Sequence, residues 1–402
     1  MKGFYLTTAL FSAASAASRL YTASYAGTIA TLELGKSHAG YELTKISSTT
    51  EGGPNPSWLM LDADNGLLFC LDEGLKGPNG TLTSFEINSD GSLSKIHHVE
   101  TVLGPVQSHF YSAGDRKYFA IAHYSGSSVT THALESSGVF THLQTFTYKL
   151  DSPGAVPDRQ EAPHPHGVIV DPTGQFVLVP DLGADLVRIF HVNPSTGLLE
   201  PQQPLAVSAG SGPRHGTFWT PKGARPGAAT DTRFYLASEL NSHLTGYKVH
   251  YTRNGTIAFD KFFETTAYGG SEPPSGSTAA EIAISVGPLP SFHCLTPANN
   301  HIVLSNRGDN TFGPKNDSIS VFSCANARGT SFADVTHIGL YPAYGSVPRQ
   351  FEISEDDKAI ALALQSSHRV AVAGWDDRKG RAGPLLAEKE LDGEIVCAVW
   401  DS

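Results

Sequence analysis

GVIVDPTGQFVLVPDL, residues 167–182, reads as two apolar strands hinged on a D-P-T-G turn, and an alternating third strand, LVRIFHVNPSTGLL (186–199), follows at once. Period-two alternation is the signature of strands, and Asp-Pro-x-Gly between them marks a tight turn. The unit recurs. WLMLDADNGLLFCLDE (58–73) runs into TLTSFEINSDGSL, HFYSAGDRKYFAIAHY (109–124) into SVTTHALESSGVF, and FEISEDDKAIALALQ (351–365) into RVAVAGWD. Looser copies are GTFWTP followed by RFYLASEL (233–240) across a Gly- and Pro-rich insertion, and EIAIS followed by HIVLSNRG (301–308). Turns at Asp62, Asp115, Asp171 and Pro221 are spaced by 53, 56 and 50 residues, one four-stranded antiparallel blade per unit.

Six units are complete, and a seventh is assembled from RLYTASYAGTIATLEL (19–34) and GEIVCAVW (393–400). Pairing the two terminal segments closes the ring and leaves no exposed sheet edge. The expected fold is therefore all-β: a seven-bladed β-propeller of four antiparallel strands per blade, closed by its N- and C-terminal strands. The dipeptides Trp375-Asp376 and Trp400-Asp401 do not indicate a WD40 scaffold, because no G-H partner precedes them and the units exceed roughly 45 residues.

The 402 residues carry 28 basic and 39 acidic side chains, a net charge of −11, with no run of Lys or Arg. Nucleic acid and anionic membrane surfaces are therefore poor partners. The first residues, MKGFYLTTALFSAASAAS, have one Lys, an apolar stretch and a small-x-small site, which predicts a secretory signal peptide over 1–17 and a single propeller domain over 18–402. Acceptor sequons at Asn79, Asn254 and Asn316 agree with export. No later apolar run reaches ~18 residues, so a secreted product without a transmembrane helix is expected. Its oligomeric state is not legible, and a monomer is taken as the starting assumption.

In a propeller blade the start of the innermost strand and the end of the second lie on one face. Strand starts carry Asn55, Ser57, His109, His164, His166, Arg214, His215, Glu281 and Arg349; strand ends carry Tyr25, Glu73, His123, Asp181, Glu239, Arg307 and Gln365. Turns on the other face carry ordinary D-P-T-G or E-D-D-K residues. Singly, such groups satisfy strand-end amides and channel water. Together, mixed His, Arg and Glu at one channel mouth point to a site for a small anion. Arg214 and Arg307 suit a carboxylate or a lactone carbonyl gaining charge, and would repel each other without an anion between them. Glu239 and Glu281 supply part of that balance. His166 is placed to move a proton, with Glu239 to orient or recharge it.

A metal is the rival explanation of HPH, but no third-ligand element such as a further H-x-H or C-x-x-C appears, and the ring holds too much Arg and His for calcium. With no G-x-S-x-G, P-loop or dinucleotide fingerprint, neither serine-hydrolase nor nucleotide chemistry is indicated, and no cofactor is expected.

The segments PHPHGVIVDPTGQFVLVPDLGADLVRIF, SGPRH, ASEL, AAEI, SNRGDN and VPRQFEIS resemble the lactonase family of seven-bladed propellers, which includes bacterial-type 6-phosphogluconolactonase and fungal 3-carboxy-cis,cis-muconate cyclase. The resemblance spans residues 20–400. It implies catalytic roles for His166 in HPHG, Arg214 in GPRH, Glu239 in ASEL and Arg307 in SNRG, and no metal requirement. His123, in AHYSG, departs from the Asn-Tyr form of relatives. Inserts at 221–231 and 265–280 either overhang the mouth or decorate the rim. Export would separate this chain from cytosolic 6-phosphogluconolactone.

The expected activity is opening of a small carboxylated or sugar lactone, or cyclisation of a muconate-like acid, with His166, Arg214, Glu239 and Arg307 catalytic. His164, His215, Glu281, Arg349, His123, Asp181 and Gln365 are expected to surround the substrate. The competing readings are a non-catalytic propeller that binds partners through the same face, and a family member that has lost activity. Cys294 and Cys324 are placed to pair in an oxidising compartment; Cys70 and Cys397 read as buried thiols.

Overall fold

The computed structural model describes residues 18–38, 40–221, 232–285, 301–325, 332–356 and 358–401. Among these residues the chain forms seven four-stranded antiparallel sheets. Their innermost strands are Ile395–Asp401 in blade 1, Pro56–Asp62 in blade 2 and Pro105–Ala113 in blade 3. Blades 4 to 7 follow with Ile169–Val170, Pro213–Trp219, Thr278–Ser285 and Pro348–Ile353. Each touches the next all the way round, so the sheets form a closed ring. The C-terminal strand pairs with Ser18–Ser24, Leu20 opposite Trp400 and Thr22 opposite Ala398, which is the predicted closure.

The core lies between blades. Leu20 and Leu32 of blade 1 pack on Val370 and Val372 of blade 7, and Phe69 and Leu71 of blade 2 pack on Phe119 and Ile121 of blade 3. Each such side chain, fully buried, stabilises by ~1.5–3 kcal/mol. Of the two inserts, the one at 265–280 contributes to this packing: Ala267 and Tyr268 are buried against Trp219 and Ile302. Most of the other insert, the segment 1–17 and Cys294 lie outside the described residues. Cys70, Cys324 and Cys397 are buried. No helix among the described residues is long and apolar enough to cross a membrane.

A recurrent irregularity shapes the mouth. Where the innermost strand begins, its pairing slips by one residue between Pro56 and Trp58, Pro105 and Gln107, Pro213 and His215, and Pro348 and Gln350. In blade 4, the pairs Pro165–Asp181 and Ile169–Leu178 bracket the same slip. Proline lacks the ladder donor and fits a strand's first position, and a bulge re-aims the extra side chain. The residues that follow these prolines are Ser57, Val106, Arg214, Arg349 and, in blade 4, His166.

Candidate active site

Arg214 stands in the blade 5 bulge, almost wholly buried. Blade 4 approaches it closely because Gly167 has no side chain: a Cβ there would lie 2.7 Å from the Arg214 carbonyl oxygen. The neighbouring extended segment is fixed by His166 N donating to Pro180 O and Leu182 N to His164 O. The HPHG motif thus seats His166 beside the arginine.

Glu239, following the blade 5 strand Arg233–Ser238, is the hub of the charges. Its Oε2 lies 2.9 Å from Arg214 Nε and 2.8 Å from Arg307 Nη2, while Oε1 accepts from Arg159 Nη2 at 2.6 Å. Burial alone would raise its pKa, but Arg307, Arg214 and Arg159 outweigh burial and hold it near 2. Glu239 is therefore a permanent carboxylate that keeps the guanidinium groups together. It is not bonded to His166, so the expected recharging role is corrected. Three guanidinium groups face this one carboxylate, and burial with Arg307 nearby lowers the pKa of Arg214. Beyond these contacts, Arg214 Nη1 and Arg307 Nε are buried without hydrogen-bond partners among the described residues.

Arg159 was missed by the sequence reading. It sits on the loop between the blade 3 and blade 4 strands, which Gln160 ties down: Gly154 N donates to Gln160 O, Val156 N to Gln160 Oε1, and Gln160 Nε2 to Leu182 O. Arg159 also reaches the hydroxyl of Tyr124 at 3.5 Å. A lone Arg in a Pro-rich loop has no periodic signal; the only hint is its position ahead of Q-E-A-P-H-P-H.

The histidines form a chain. Glu281 Oε1 lies 2.8 Å from His215 Nδ1, and His215 Nε2 lies 3.2 Å from His166 Nδ1. Burial lowers the pKa of His215 against the opposing pull of Glu281, and burial followed by Arg214, His215 and Arg349 drives that of His166 well below its usual value. Both rings are therefore neutral at pH 7. Arg349 is anchored elsewhere, donating to Glu73 Oε1 at 3.1 Å, Ser57 O at 2.9 Å and Val396 O at 3.2 Å. Tyr25 shares Glu73, its hydroxyl 2.5 Å from Oε1.

Several expected substrate contacts are engaged in structure instead. His164 stacks on Tyr124, with Nδ1 2.9 Å from Tyr124 O and Nε2 3.0 Å from Glu161 Oε1. His123 is fully buried between Val102 O and the Thr130 hydroxyl, each 2.9 Å away, and burial pushes its pKa down to about 3. Asp181 is fully buried too: it accepts from His164 N at 2.7 Å and Ala184 N at 3.1 Å, and pairs with Arg188. Gln365 donates to Glu394 at 2.9 Å and touches none of the four central residues. Strand-end position placed these groups on the right face but could not distinguish those that turn into the protein. Among the described residues, no group of three or more His, Cys, Asp or Glu is arranged to hold a metal.

Residues 19–400 match the model of the lactonase, seven-bladed beta-propeller family. The chain belongs to that family. A protein of Arthroderma benhamiae named a probable 6-phosphogluconolactonase is 29% identical over 89% of this chain and 82% of its own length. The 6-phosphogluconolactonase of Formosa agariphila is 25% identical, covering 84% of this chain and 86% of its own. The solved periplasmic gluconolactonase of Pseudomonas aeruginosa superposes with a TM-score of 0.73 over 96% of this chain and 99% of its own, at 22% identity, a likeness of fold.

Proposed function

We propose that this lactonase-family chain hydrolyses a small lactone bearing an anionic group, a sugar-acid or other carboxylated lactone, at the channel mouth. One observation carries the reading: Arg214 and Arg307 share a single carboxylate oxygen, yet present buried N–H groups with no partner among the described residues. Buried guanidinium groups left unpaired are costly, and a bound anion relieves that cost. The positive surplus persists when Glu281 is counted, since three arginines then face two carboxylates.

In this reading neutral His166 takes a proton from water as its oxygen attacks the lactone carbonyl. Arg214 and Arg307 stabilise the oxyanion, and the ring C–O bond breaks. The departing alkoxide recovers the proton from His166, leaving a hydroxy acid. Hydrolysis is preferred to cyclisation of a muconate-like acid because relatives matched over most of the chain carry the hydrolase name 6-phosphogluconolactonase. No metal is given a role. The leader-like N-terminus would put the substrate outside the cell, and the exposed Asn79 and Asn254 are accessible to the glycosylation that this route brings.

The test is the initial rate of acid release, above the spontaneous rate, from phosphorylated, carboxylated and neutral sugar lactones, with and without chelator. Chelator-insensitive turnover that favours the anionic lactones is expected. No turnover of any lactone would favour the binding-module reading.

A further inference from the structure

His215 and Glu281 were expected to touch substrate, but the geometry gives them a different task. A carboxylate only accepts hydrogen bonds, so the neutral His215 ring, 2.8 Å from Glu281 through Nδ1, carries its proton on Nδ1. Its Nε2 is then an acceptor. The atom facing it at 3.2 Å is His166 Nδ1, which must be the donor, and the one remaining nitrogen of His166 is a bare Nε2. Each step is fixed by the one before it.

We propose that Glu281 and His215 are positioning residues that lock His166 as the Nδ1–H tautomer and present Nε2 as the base. The packing supports a fixed arrangement. Trp58 meets the His215 ring edge-on with centroids 6.0 Å apart, and Tyr124 meets His166 edge-on at 5.6 Å. Glu281 is held at both ends, its own N–H donating to Ser305 Oγ and its Oε1 accepting from Ile282 N, each at 3.0 Å. Its Oε1 pairs with His215 Nδ1, and its Oε2 has no hydrogen-bond partner among the described residues. When His166 gains a proton on Nε2, its Nδ1 proton can pass to His215 Nε2, and the positive charge then rests against Glu281. This offsets the repulsion of Arg214 and Arg349, which would otherwise oppose an imidazolium at this position.

The proposal uses the lactonase reading for its kinetic arm only; its spectroscopic arm needs no substrate. In ¹⁵N-histidine-labelled protein, with the His166 signals identified by their loss in His166→Gln, Nδ1 is expected protonated and Nε2 bare at neutral pH. In Glu281→Gln the carboxylate charge is lost, and kcat is expected to fall on the order of 10²-fold with KM within about twofold. A proton on His166 Nε2 in the native protein would overturn the proposal whether or not a substrate is known. A raised KM with unchanged kcat in Glu281→Gln would also overturn it, by returning the pair to substrate binding. Absence of lactone turnover in the native protein would sink the functional reading while the spectrum still decides the tautomer.

Discussion

Glu239 shows how far a single residue's environment alters its chemistry. Three guanidinium groups hold its pKa near 2 rather than the ordinary 4.5. A depressed carboxylate pKa contributes stability that is fully present above about pH 4.5 and is lost as pH falls toward 2. Glu239→Gln is therefore expected to cost about 3–5 kcal/mol at neutral pH, because it leaves buried arginines uncompensated. In urea titrations the gap from the native protein should narrow as the pH is lowered through that window; a gap independent of pH would contradict the assignment. The sequence reading put Glu239 beside Arg214 and Arg307 and expected it to balance their charge, as it does, but its expected hold on His166 is not made, since ring membership says nothing about which neighbour a carboxylate bonds. Arg159 was invisible for a related reason: it arrives on a loop held by Gln160, outside any strand pattern.

Among the elements, the bulged start of the innermost strand recurs most clearly. Pro213-Arg214, Pro165-His166 and Pro348-Arg349 repeat one device, a proline at the strand edge followed by a re-aimed side chain. These x-Pro-[His/Arg] steps are visible in the sequence and mark three of the site residues without reference to any family. The second strand of each blade was harder to read, because its last residues divide between the mouth and the loop that follows. Asp181 belongs to the loop: like Asp72, which accepts from Gly74 N at 2.7 Å, it ties down the turn after its strand. Asp181→Ala removes those acceptors and strands Arg188, at a cost of about 3–5 kcal/mol. The urea midpoint measures this, and an unchanged midpoint would restore Asp181 as a candidate substrate contact.

For the whole molecule, the fold was the most legible feature, because a repeat of strand, turn and strand is written several times over and errors in one copy are corrected by the others. Closure follows from the same logic, with Ile395–Asp401 supplying the strand that blade 1 lacks. Deleting residues 393–402 should expose Leu20 and its cluster and abolish the cooperative thermal transition, followed by circular dichroism; a retained sharp transition would show that closure is dispensable. The chemistry at the mouth rests on a smaller set of contacts. Its most direct measurement is kcat/KM for a phosphorylated sugar lactone and its neutral counterpart, in the native protein and in Arg307→Ala. A strong preference for the anionic lactone, reduced on the order of 10²- to 10³-fold by Arg307→Ala in a protein that still folds, is the predicted result. Equal rates on the two lactones, or an unaffected Arg307→Ala, would contradict the account.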